Sequence, residues 1–150
     1  MTYDKTVTVD TSIDTLNSFL RGELSAVDTY RQAIDKLVDN PLRYQLKDCL
    51  QSHQMRVESL RSRIHQLGGT PADSAGIWGT FAKAVEGGAT LLGERAAVAA
   101  LEEGEDHGRN DYRRDLDHLD YETRSWFEAT ILPEQERTHA QLSAIKHSLK

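Results

Sequence analysis

The sequence predicts an all-α protein, a four-helix bundle with a long connection between its second and third helices. Three observations carry this. Apolar residues recur at alternating spacings of three and four in four separate stretches, the mark of one buried face on each helix. The chain holds only three prolines and few runs of valine or isoleucine, which leaves little material for a large sheet. Two stretches eighty-two residues apart, Arg21 to Leu37 and Glu103 to Leu119, repeat one pattern inside that helical frame: Gly22 matches Gly104, Glu23 matches Glu105, Tyr30 matches Tyr112, Arg31 matches Arg113, Asp35 matches Asp117 and Leu37 matches Leu119. In both copies Glu and Tyr stand seven residues apart, two helical turns along one face. That face is the apolar one, and burying a carboxylate there is costly unless it is partnered.

The first helix is expected to open after a cap cluster at Asp10, Thr11 and Ser12. Its inward stripe is Ile13, Leu16, Leu20, Glu23, Val27, Tyr30, Ile34 and Leu37. Asn40-Pro41 ends it and starts the next, proline being suited to a first turn. The second stripe runs Leu46, Leu50, His53, Val57, Leu60, Ile64 and Leu67, and Gly68-Gly69 stops it as C-cap glycines do. Residues 68 to about 90 then form a Gly/Pro/Ser-rich connection with a short amphipathic helix near Ile77 to Val85, whose Trp78 and Phe81 are expected to cover the side of the bundle. The third helix should run from about Leu91 to Leu119, with Val98, Leu101, Glu105, Gly108, Tyr112, Leu116 and Leu119 inward. The fourth should start at Asp120 as N-cap and run towards Leu149, with Leu132, Glu136, His139, Leu142 and Leu149 inward. Pro133 cannot donate to the carbonyl of Ala129, so a kink or break is expected there.

Short loops make the first and second helices one antiparallel hairpin, and the third and fourth another. Twenty extended residues reach about 60 Å, enough for the middle connection to cross the bundle end to end and set the third helix parallel to the second. A pseudo-two-fold perpendicular to the bundle axis would then relate the hairpins and bring Glu23 and Glu105 to one depth.

The chain length of 150 residues fits one domain, here an N-terminal tail over 1–11 and a bundle over 12–150. Eighteen Lys and Arg against twenty-four Asp and Glu give a net charge of −6, which argues against a nucleic-acid partner. Cys49 is the single cysteine and fits a reducing compartment. The N-terminal residues carry no apolar signal-peptide core, and no apolar run approaches the roughly 18 residues of a membrane span. The expected location is the cytoplasm, with no membrane association.

Each stripe is broken near its midpoint by polar groups: Glu23, His53, Glu105, and Glu136 with His139, a Glu-x-x-His pair. Carboxylates and imidazoles converging inside a bundle are how such folds hold two transition-metal ions. Oxygen ligands suit iron and manganese, and imidazole adds affinity for iron or zinc.

Glu-x6-Tyr on the first and third helices, with Glu-x-x-His on the fourth, resembles the ferritin-like superfamily. The segments GELSAVDTY, LRSRIHQLGGTPADSAG and LEEGEDHGRNDYRRDL resemble more closely a bacterial ferritin-like family, domain of unknown function 2383, over most of residues 12 to 149. The resemblance implies a ferritin-like four-helix bundle and no established activity. Its implied metal ligands are Glu23, His53, Glu105, Glu136 and His139. Leu50 stands where a further glutamate is expected, three residues before His53. Three carboxylates leave +1 with two divalent ions and −1 with one, so the resemblance implies a single ion of iron, manganese or zinc, or an asymmetric pair.

Two functions follow. One is a stress-associated, non-storage protein with a reduced metal centre; were it an enzyme, the ions would handle dioxygen or peroxide. The other is a metal-free structural or interaction module in which Glu, His and Tyr satisfy one another by hydrogen bonds, with His protonated beside Glu. In both, a homodimer is expected, with Trp126 or Phe127 marking its surface. Cys49 reads as a small core hydrophobe near the same face. His65, His107, His118 and His147 read as surface residues. Tyr30 and Tyr112 read as core aromatics whose hydroxyls bond a nearby Glu.

Overall fold

The computed structural model describes residues 7–37, 40–74 and 93–149, and every regular element among them is helical. Helix α1 spans Val9–Lys36, α2 Leu42–Gln66, α3 Glu94–Asp115, α4 Tyr121–Thr130 and α5 Leu132–Ser148. A 3-10 turn, Leu116–His118, joins α3 to α4. The last two helices are the fourth rod in two pieces. They divide at Ile131, two residues before Pro133, and Ile131 and Gln135 still bond back to Phe127 and Ile131. The bundle of four rods and the expected break are therefore both present. The expected short helix near Ile77 to Val85, with Trp78 and Phe81, lies outside the described residues.

The start of α1 differs from expectation. Thr8 is the N-cap, its hydroxyl accepting from the Thr11 amide at 3.1 Å. Ser12 is freed for a longer reach: its hydroxyl donates to Asp120 Oδ1 at 2.6 Å and accepts from the Asp120 amide at 2.8 Å. Asp120 meanwhile caps α4 through Thr123, as expected. At the close of α2, Gly68 has φ +86°, its amide bonds to His65 O, and the Gly69 amide bonds to Ile64 O at 2.9 Å. That pair of bonds is a Schellman cap. A side chain at Gly69 would meet Ile13 Cγ2 at 2.6 Å, so this cap also seats α2 against α1.

Direction follows from cross-helix contacts. Ser12 and Asp120 place the starts of α1 and α4 together. Tyr30 reaches Glu105 while Tyr112 reaches Glu23, so α1 and α3 run antiparallel. Helix α3 is then parallel to α2. The connection leaves α2 beside Asn17, which bonds Thr70 and Ala72, and re-enters beside Asn40, which bonds Glu94. Those are opposite ends of α1, so the described residues on either side of the connection lie at opposite ends of the bundle; the connection itself, residues 75–92, lies outside the described residues.

The inward stripes are nearly as read. Leu16, Leu20, Val27, Ile34, Leu46, Val57, Leu60, Ile64, Val98 and Leu101 are all buried. They form two apolar clusters, one around Leu46, Leu101 and Leu142 and one around Leu16, Leu60 and Ile131, with half-buried Leu50 packed against both. Leu50, at the position where the resemblance implied a glutamate, thus serves apolar packing. Phe127 is fully buried, within 5.0 Å of Phe19 and 4.9 Å of Tyr112 between ring centres. Its neighbour Trp126 is half-buried under the Arg63 guanidinium, 4.6 Å from the ring centre.

Candidate functional site

Buried polar groups gather where the two apolar clusters meet. Helix α1 supplies Glu23 and Tyr30, α2 supplies Ser52, His53 and Arg56, α3 supplies Glu105 and Tyr112, and α5 supplies Gln135 and Thr138. All are buried. His53 stands at the middle. Its Nδ1 lies 2.5 Å from Glu23 Oε1 and its Nε2 lies 2.7 Å from Glu105 Oε2. An imidazole between two carboxylates donates on both sides only when protonated. Burial and the nearby Arg56 push the His53 pKa down, but Glu23 and Glu105 together outweigh them and raise it.

Arg56 is the second cation. It is 1 % exposed, which for an arginine demands full pairing. Its Nη1 meets Glu23 Oε2 at 3.3 Å; its Nη2 donates to Thr138 Oγ1 at 2.6 Å, to Ser52 Oγ at 3.1 Å and to the Glu134 carbonyl at 3.2 Å. Two glutamates, one imidazolium and one guanidinium sum to zero charge. Burial would raise the Glu23 carboxyl, yet Arg56, His53 and the Tyr112 hydroxyl hold it down at about 2. Glu105 is lowered for like reasons: burial opposes, while His53, Arg56 and Tyr30 prevail.

The tyrosines close the network across the repeat. Tyr30 OH donates to Glu105 Oε2 at 2.6 Å, and Tyr112 OH donates to Glu23 Oε2. Each tyrosine therefore serves the glutamate of the other copy, as a two-fold between the copies requires. Burial and the facing carboxylate put both hydroxyls well above the ordinary phenol pKa, so both remain donors. Thr138 gives its proton to Glu105 Oε1 at 2.8 Å, and all four carboxylate oxygens are thereby engaged.

Of the five ligands read from the sequence, Glu23, His53 and Glu105 are brought together. Glu136 and His139 are not. Glu136 is exposed and pairs with Arg113 at 3.2 Å; His139 is half-buried on the flank, 2.5 Å from Asp106. The inward set of the fourth rod is Phe127, Ile131, Gln135, Thr138, Leu142 and Ile145. That is one residue, about 100°, away from the expected phase at its polar positions. Leu142 fits both readings, which is why apolar spacing did not decide between them. Arg56 was missed altogether, although it lies on the face of His53 one turn later, and that spacing was the available signal. Of the other expectations, Cys49 is fully buried in the apolar cluster, where burial, Glu105 and Asp48 push its thiol up to about 12. The other four histidines are exposed.

A ferritin-like metal centre would need lone pairs directed at a common point. Here both His53 nitrogens face carboxylates, the carboxylate oxygens accept from His53, Arg56, Tyr30, Tyr112 and Thr138, and a guanidinium supplies the neutralising charge. The donor set does not fit a resident metal ion. Among the described residues no group of three or more His, Cys, Asp and Glu side chains is arranged to hold one.

An all-helical bundle with a buried, charge-balanced ionic network is thus the class of protein that fold and site define. The chain matches the family model "Domain of unknown function (DUF2383)" over residues 11–118 and belongs to that family. No curated protein and no solved structure matches it.

Proposed function

We propose that this protein works as a metal-independent bundle of ferritin-like shape, a structural or interaction module whose centre is held by its own charges. Arg56 is the observation that carries the reading: a buried guanidinium occupies the electrostatic role a divalent cation would play between Glu23 and Glu105. A homodimer and a cytoplasmic setting belong to the same proposal. The free thiol of Cys49 supports that setting, and among the described residues no helix is long and apolar enough to cross a membrane.

Iron, manganese or zinc at this centre, the other reading the sequence offered, would require His53 to lose its proton and Arg56 to withdraw from Glu23. The test is elemental analysis of protein purified without chelator, paired with thermal melts in added Fe(II), Mn(II) and Zn(II). A ligand bound only by the native state must raise its melting temperature. The expected result is metal-free protein with unchanged melts. Stoichiometric metal that disappears in Glu105→Ala would overturn the proposal. Sedimentation velocity reads the dimer directly.

A further inference from the structure

We draw no further inference here: the strongest candidate, the groove between α1 and α3 bordered by Gly22, Gly104 and Gly108, encloses only about 50 Å³, too little for an organic guest, and nothing among the described residues shows what covers it.

Discussion

Glu23 and Glu105 occupy equivalent places in a repeated sequence, and the structure treats them differently. Each receives one His53 nitrogen and one tyrosine hydroxyl from the opposite copy. Beyond that shared set, Glu23 has the Arg56 guanidinium, whereas Glu105 has the neutral Thr138 hydroxyl. Both cations come from α2, the helix hairpinned with α1. The hairpin of α3 with α4 and α5 contributes none. The duplicated face thus keeps two-fold geometry in its Glu and Tyr while its charge balance is one-sided: Glu105 depends on a cation from the other hairpin, and His53 is the group that links them. Such a network ties register between the two hairpins where their shared apolar clusters meet, and buried polar groups of this kind are best attested as devices for specifying register.

The largest effect should come from removing the one-sided charge. Arg56→Leu leaves two carboxylates facing one imidazolium and should destabilise the fold by about 3–5 kcal/mol, as breaking buried pairs does. Thr138→Val, the matching change on the Glu105 side, should cost only about 1–3 kcal/mol for the unsatisfied groups it leaves. Urea denaturation of the two variants measures the asymmetry. Equal losses would mean that the guanidinium is no more than a filler.

His53→Gln should cost roughly 3 kcal/mol for the same reason, and it also changes the pH profile. Glu23 falls from an ordinary 4.5 to about 2, so its contribution is fully present above 4.5 and is lost as pH drops towards 2. Glu105, also lowered, works in the same sense. His53 is raised above 6.5, so its contribution is fully present below 6.5 and is lost as pH climbs through its folded value. The network therefore stabilises most between about pH 4.5 and 6.5 and fades on both sides. Melting temperatures across pH should show that fall on the alkaline side in the parent and not in His53→Gln. A parent profile flat from pH 6 to 9 would place His53 neutral.

The tyrosine pair sharpens the comparison further. Tyr112→Phe and Tyr30→Phe each remove one hydrogen bond to a buried carboxylate, worth about 1.5–3 kcal/mol. Tyr30→Phe should be the costlier of the two, because Glu105 keeps only His53 and Thr138, whereas Glu23 keeps both cations. Denaturant midpoints that order the pair the other way would show that Arg56 does not compensate across the network.

Much of this was legible in the residues. Apolar spacing fixed the four rods, Gly68-Gly69 marked the Schellman cap, and the length of the middle connection implied the parallel pairing of α2 with α3. The repeat located Glu23, Tyr30, Glu105 and Tyr112, because a carboxylate within an apolar stripe is conspicuous. Arg56 was not legible, since arginine is so seldom buried that a solvated face is its ordinary reading. Gln135 and Thr138 were hidden for the opposite reason. They are neutral, they follow a helix break at Ile131, and their neighbours Glu136 and His139 carry the residue types that metal chemistry draws attention to.

That last confusion sets the smallest expected effect. Glu136 faces solvent and makes one ion pair with exposed Arg113, and pairs of that kind contribute about 0–1 kcal/mol. Glu136→Ala should therefore change stability by no more than about 0.5 kcal/mol, and less still in high salt, where the pair is screened. Gln135→Ala, its neighbour by one residue, should cost several times more, because its side chain is buried against the Glu105 carbonyl and the apolar core. The two variants differ by one step along the same helix, so comparing their denaturation midpoints tests the phase of the fourth rod itself. If Glu136→Ala proved the more damaging, the helix would be turned by one residue, and the carboxylate now paired with Arg113 would belong inside the bundle with Glu23 and Glu105.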